Sequence, residues 1–192
     1  LRDHVTLNGR DLVDFTSNDY LGLASRYVDP CEAIQRLGYG STGSRLLSGD
    51  HDVFHALETT LAQWKKKESA LLFNSGYQAN CGVLSAVASK GVLVLADKLV
   101  HASIIDGVVL SGAKLVRYAH NDMLHLERLL TKHSAEYDSI IVVTESVFSM
   151  DGDRALLKKI ADLKQVYPFL FIVDEAHATG VFGQFGEGLV SE

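Results

Sequence analysis

Five apolar residues in a row, Phe169-Leu170-Phe171-Ile172-Val173, run without a break into Asp174-Glu175-Ala176-His177. Aromatic and branched side chains on consecutive positions leave no polar face, so 169–173 reads as a strand buried on both sides, of the kind parallel sheets use. In an open α/β sheet, ligands bind outside the carboxyl ends of the strands. Asp174 and His177 are therefore expected where chemistry happens. An aspartate there can keep a heterocyclic nitrogen protonated, which turns a pyridine ring into an electron sink.

The rest of the chain repeats the theme. Apolar runs at 69–73, 92–96, 114–118 and 139–144 alternate with amphipathic stretches at 52–66, 78–88, 103–111, 122–132 and 155–166. In the first stretch, Val53, Phe54, Leu57, Leu61 and Trp64 fall on one helical stripe. The rhythm predicts an α/β fold, a mostly parallel sheet with helices on both faces. The segment around Leu12-Val13-Asp14-Phe15 is expected to form a short strand and turn outside that core.

Composition narrows the partners. A net charge of −6 gives no electrostatic footprint for nucleic acid or an anionic membrane. The apolar runs are strand-sized, so none is expected to span a bilayer. Cys31 and Cys81 make neither a disulfide framework nor a metal site, and they point to a reducing, cytoplasmic setting. The ends look abrupt, and the chain reads as a fragment of a longer polypeptide.

Several motifs compete for attention. Gly38-Tyr39-Gly40-Ser41-Thr42-Gly43 spells a dinucleotide fingerprint, but helix rather than strand is expected before it. A flexible turn whose Ser41, Thr42 and Ser44 line a cleft near an anion fits better. The same stretch falls short of a phosphate loop, because Ser44 stands where the lysine belongs. His51 and His55 lie one helical turn apart near Glu58, without a third ligand at metal spacing. No metal is expected.

Asn74-Ser75-Gly76-Tyr77 precedes a helix, so its amides can receive an anion, or Ser75 can be a plain cap. His101 follows a strand end and can cap the next helix or lie flat against a planar cofactor. Ser149, in Phe148-Ser149-Met150-Asp151-Gly152, follows another buried strand. It lacks the Gly-x-Ser-x-Gly elbow of a nucleophile.

Taken together, the chain resembles the α-oxoamine synthases, pyridoxal-phosphate (PLP) enzymes of aminotransferase fold type I. The resemblance rests on Ser17-Asn18-Asp19-Tyr20-Leu21-Gly22-Leu23-Ala24, Gly43-Ser44-Arg45, Ser75-Gly76-Tyr77, residues 97–103, residues 148–152 and Asp174 through His177. It implies PLP as cofactor and His101, Asp174 and His177 as catalytic residues. Asp174 would pair with the pyridine nitrogen, His177 with the phenolic oxygen, and His101 would stack on the ring. Gly76 and Tyr77 would bracket the cofactor near its phosphate, and Ser149 would touch it. Asn18, His101 and Glu145 would face substrate.

Within the family, Ser17-Asn18-Asp19-Tyr20, His120-Asn121-Asp122 and 144–153 are most similar to the branch that condenses alanine with a pimeloyl thioester and loses carbon dioxide, on the route to biotin. Coenzyme A or an acyl carrier protein would present the acyl group. A branch joining glycine to acetyl-CoA, or a non-catalytic partner subunit of the same fold, are the alternatives. The resemblance also implies a homodimer. It assigns residues 1–35 to an N-terminal segment of the small domain or arm, and 36–192 to the large PLP-binding domain, incomplete at its C-terminal end. The Schiff-base lysine is expected beyond residue 192, with the C-terminal small domain, so the fragment alone is expected to be inactive.

Overall fold

The structure is a computed structural model that describes residues 4–26 and 29–192. Two compact units divide between Ala70 and Leu71. The boundary expected at 35/36 falls inside the first of them.

The first unit opens with an antiparallel hairpin, β1 (His4–Leu7) and β2 (Arg10–Val13). Asn8 and Gly9 turn it with φ of 53° and 73°, both left-handed, as a two-residue hairpin demands. Only the second strand was expected from the apolar pattern. Helix α1 (Cys31–Leu37) and helix α2 (Asp52–Trp64) flank the glycine-rich loop. That loop therefore follows a helix, as the sequence predicts, and the dinucleotide fingerprint lacks its strand. Its hydroxyls are used internally: Ser41 Oγ donates to the carbonyls of Gly43 and Gly49, at 2.7 and 3.1 Å, and Thr42 Oγ1 donates to that of Ser48. Arg45 is held by Asp50 (2.9 Å) and Glu58 (2.6 Å) and lies over the Phe54 ring.

The second unit is built on β3 (Leu93–Asp97), β4 (Lys114–Tyr118), β5 (Ile140–Glu145) and β6 (Leu170–Asp174). All four are parallel, in the order β4-β3-β5-β6. Helices α3 (Gly76–Val87), α4 (Ala102–Ser111), α5 (Met123–His133) and α6 (Leu157–Leu163) complete it. The period of two along each strand sorts the core into two layers. Val94 and Ala96 with Ile141 and Val143 pack under Leu84 of α3 and under Ile104 and Val108 of α4. Leu93 and Leu95 with Ile140 and Val142 pack under Leu126 and Leu130 of α5 and Ile160 of α6. The expected α/β sheet, covered by helices on both faces, is what forms.

Two expectations need correcting. Residues 69–73 are not a strand. Leu71 is 67% exposed and the segment pairs with no strand among the described residues, so its apolar run finds no ladder to join. The run at 169–173 does become β6, but as an edge strand. Leu170 is 46% exposed and the following residues are half-buried, because β6 has one neighbour, β5, among the described strands.

The layer of α3 and α4 is tight. A Cβ on Gly107 would lie 2.9 Å from the Asn80 carbonyl oxygen and 3.1 Å from Cys81 Cα, both backbone atoms. In an ordinary helix interior alanine is preferred to glycine by about 1 kcal/mol. Here Gly107→Ala is expected to destabilise by about 1–3 kcal/mol, because backbone must move. A denaturant midpoint that rises instead would show that the helices are not in such contact.

Candidate active site at the carboxyl edge of the sheet

Chain order reverses between β3 and β5. The connection through α4 leads from β3 outward to β4, and the one through α6 leads from β5 outward to β6. The crevice outside such a switch point is where open α/β sheets place ligands. Three strands end there in an acid: Asp97, Glu145 and Asp174. Glu145 lies in register beside Asp174.

Asp174 is half-buried and its carboxylate is held by two neutral donors. Asn80 Nδ2, from α3, donates to Oδ2 at 2.8 Å, and the amide of Ala176 donates to Oδ1 at 2.9 Å. Asn80 Nδ2 also donates to Ser103 Oγ at 2.9 Å. Ser103 Oγ in turn lies 2.8 Å from His101 Nδ1, which accepts from the Ser103 amide at 3.2 Å. Nδ1 therefore carries a lone pair, and in the neutral ring the proton sits on Nε2. His101 and Asp174 are both legible in the sequence, but the Asn80–Ser103 link between them is not. Asn80 falls in the amphipathic stretch 78–88 and Ser103 in residues 97–103, yet only the packing of α3 on α4 shows that they meet.

His101 caps α4 and presents an exposed ring. Tyr77 approaches it edge-on, ring centroids 6.3 Å apart, and its hydroxyl donates to Asp106 of α4. Ser75 caps α3 by accepting from the Gln78 amide. The amides of Gly76 and Tyr77 take no acceptor among the described residues, which leaves two donors at a helix N-terminus. A Cβ on Gly76 would meet nothing within 4 Å. The glycine leaves open space there.

Glu145 is 2% exposed. The amide of His101 donates to its Oε1 at 2.5 Å, and the amide of Ser149 also donates to it. Burial, with the nearby charges of Asp174 and Asp97, pushes its pKa up to about 7 against those two hydrogen bonds. His177 lies on the turn after β6, three residues past Asp174. Asn18 belongs to the first unit, where its Oδ1 accepts from the Tyr20 hydroxyl at 3.3 Å. Thus Tyr77, His101, Glu145, Ser149 and Asp174 are joined by direct or one-residue links in the second unit.

The aminotransferase class I and II model matches residues 10–191. The chain belongs to that family. A curated relative from Glaesserella parasuis, named putative 8-amino-7-oxononanoate synthase, is 54% identical over 94% of this chain and 49% of its own length. The chain spans about half the length of the curated relatives it matches. Among solved structures, serine palmitoyltransferase of Sphingomonas wittichii superposes with a TM-score of 0.90 at 36% identity, covering 99% of this chain and 48% of that one. A serine palmitoyltransferase holding PLP gives 0.88 at 33% identity, covering 98% and 48%. The 8-amino-7-oxononanoate synthase of Francisella tularensis gives 0.74 at 35% identity, covering 92% and 49%. These findings bear out the resemblance to the α-oxoamine synthases and the fold type.

The donor set of this aminotransferase-family site fits PLP. A carboxylate with only neutral partners can take a protonated ring nitrogen, two unpaired amides beside open space can take a phosphate, and an exposed imidazole can take a ring face.

The raised pKa of Glu145 makes stability depend on pH. The folded state holds this proton more tightly than the unfolded chain, so the buried charge costs nothing below about pH 4.5 and its full amount above about pH 7. The full cost is on the order of 3 kcal/mol. Glu145→Gln keeps an acceptor for the His101 amide. Thermal unfolding of the apo-protein is expected to show little change at pH 5 and a gain of about 1–3 kcal/mol at pH 8. Equal effects at both pH values would contradict the assignment.

Proposed function

We propose that the chain is the cofactor-binding part of a PLP-dependent acyltransferase that condenses L-alanine with a pimeloyl thioester and releases carbon dioxide, giving 8-amino-7-oxononanoate for biotin. The observation that carries this reading is the 54% identity to a relative of that name, spread over 94% of the chain. It is joined to a strand-edge site whose donors suit the cofactor.

PLP is the cofactor that the family and a PLP-holding neighbour indicate. Bound PLP supplies an electron sink that stabilises negative charge at the α-carbon of the amino acid. The chain's own residues set the conditions for that. Asp174, fixed by Asn80 and the Ala176 amide, keeps a positive charge on the ring nitrogen favourable. His177 is assigned to the phenolic oxygen, and Gly76 and Tyr77 to the phosphate through their amides. His101, its ring set by Ser103, covers one ring face, and Ser149 contacts the cofactor. Glu145 holds the His101 backbone; Glu145 and Asn18 are each assigned to substrate by the family resemblance. With a pKa near 7, Glu145 can hold or give a proton at working pH.

The Schiff-base lysine is expected after β6, in sequence following residue 192. The 192 residues alone are therefore inactive on this reading, and tests use the full-length polypeptide. The same reading makes the enzyme a cytoplasmic homodimer, with coenzyme A or an acyl carrier protein presenting the acyl chain.

The likeness to serine palmitoyltransferases favours a second reading, the same chemistry on serine and a longer acyl chain. Thiol release by the full-length protein is to be measured with alanine, glycine and serine against pimeloyl, acetyl and palmitoyl thioesters. Alanine with pimeloyl is expected to be fastest; preference for glycine with acetyl, or serine with palmitoyl, would overturn the assignment. Asp174→Asn is expected to lower turnover by about 10²–10³-fold, since it removes a charge aimed at the reacting system. A change under threefold, with cofactor content unaltered, would remove Asp174 from this role.

A further inference from the structure

The stretch His120-Asn121-Asp122 and the residue Asp153 play no part in the site as described, yet they meet beside it. His120 follows β4. Its Nδ1 lies 2.9 Å from Asp97 Oδ1 and its Nε2 lies 2.9 Å from Asp153 Oδ2. A neutral imidazole has one donor and one acceptor nitrogen, so it would turn a lone pair onto one carboxylate. Only the imidazolium donates to both.

Both acids accept further hydrogen bonds. Asp97 is 1% exposed, and besides His120 it accepts from the amides of Leu99 and Asn121, each at 2.9 Å. Asp153 Oδ2 also accepts from Asn121 Nδ2 at 2.8 Å. The other titratable groups on the elements that meet here are tied to His120's neighbours. β3 sends Asp97, β4 sends the buried Tyr118, whose hydroxyl is pushed above its ordinary range by burial and by Asp97, and α5 sends His125, whose Nδ1 accepts from the Ala119 amide. Phe148 closes one side, edge-on with centroids 4.4 Å apart.

Asp153 and Phe148 belong to one hairpin. Val147 bridges Arg154, the Phe148 amide donates to the Asp153 carbonyl, and the Ala155 amide donates to that of Ser146. Asn121, in left-handed conformation at φ 52°, adds a bond from Nδ2 to the Arg154 carbonyl. The hairpin is the direct continuation of β5, and its Ser149 amide is one of the two donors to Glu145.

We propose that His120 is a charged clasp, donating from both ring nitrogens to Asp97 and Asp153, which fixes the 146–155 hairpin to the sheet edge and thereby positions Ser149 and Glu145 for the reaction. His120 is a positioning residue and touches neither cofactor nor substrate. Its role in turnover rests on the proposed acyltransfer, but the clasp itself does not. Burial works against the imidazolium, and the hydrogen bonds to Asp97 and Asp153 outweigh it, so the ring holds its proton above the ordinary range. The cation also offsets the field of Asp97, which otherwise opposes ionisation of Glu145.

The test uses the full-length protein with ¹⁵N-labelled histidine, the His120 signal being assigned by its loss in His120→Gln. Both ring nitrogens are expected to be protonated at pH 7, where an ordinary imidazole is largely neutral. In Asp153→Asn, which keeps the shape and removes the charge, the titration should move to lower pH. In His120→Gln, the Glu145 carboxyl, followed by ¹³C-labelled glutamate, should titrate at higher pH, and the Phe148 and Ser149 amides should exchange faster. The limb of the kcat pH profile assigned to Glu145 should move with it, while KM changes little. A neutral His120 at pH 7 in the unsubstituted protein would overturn the clasp. So would an unchanged Glu145 titration in a folded His120→Gln. The nuclear magnetic resonance readouts need no substrate, so their failure is distinct from failure of the acyltransfer assay.

Discussion

Three carboxylates in a row at one edge of a parallel sheet form the constraint around which the second unit is arranged. Neighbouring strands lie about 4.8 Å apart, so acids at adjacent strand ends cannot ignore one another. Glu145 occupies the middle, since β5 lies between β3 and β6. It is also the most enclosed of the three save Asp97, and it is the one pushed up to about 7. The two flanking acids are treated differently. Asp97 receives backbone amides and the His120 ring. Asp174 receives only neutral amide donors, from Asn80 and Ala176. The edge is thus left electrostatically lopsided, with its uncompensated charge on the side where a protonated heterocycle would be welcome.

Topology explains why these groups can converge. A parallel sheet sends all its carboxyl ends the same way, and the reversal of chain order between β3 and β5 keeps the crossover helices off the gap outside them. The helices do not merely cover the sheet. Gly107 lets α4 approach the backbone of α3 closely, and this contact brings Asn80 within reach of both Ser103 and Asp174. Packing in the core layer and geometry at the edge are therefore one problem. A bulkier residue at 107 would be felt at the carboxylate.

Much of this was legible in the chain. Apolar runs that stop at an acid marked β3, β5 and β6, and the helical stripes between them marked α3 to α6 to within two residues at most ends. What failed has physical causes. The run at 69–73 is apolar enough for a strand, but a strand exists only where a neighbour pairs with it. The run at 169–173 was read as buried on both faces, and hydrophobicity alone does not say whether a strand is central or at an edge. The first hairpin carries a weak apolar pattern, and its Asn8-Gly9 turn was the stronger signal. Asn80 and Ser103 are 23 residues apart on two helices. Their meeting is a fact of tertiary packing, which no local spacing records.

Direction in the hydrogen-bond chain gives the site its order. Asn80 Nδ2 has two hydrogens, and with one on Asp174 and the other on Ser103 Oγ the amide cannot be turned over without losing both bonds. Ser103 Oγ, having accepted from Asn80, has its own hydrogen left for His101 Nδ1. The Ser103 amide points at the same nitrogen. That fixes both the ring's orientation and its tautomer, while the bond from the His101 amide to Glu145 fixes its backbone. An imidazole so held at Nδ1 keeps its faces and Nε2–H for whatever enters the crevice. The carboxylate meant for a ring nitrogen and the imidazole meant for a ring face are therefore set by one amide side chain, so displacing either strains the other.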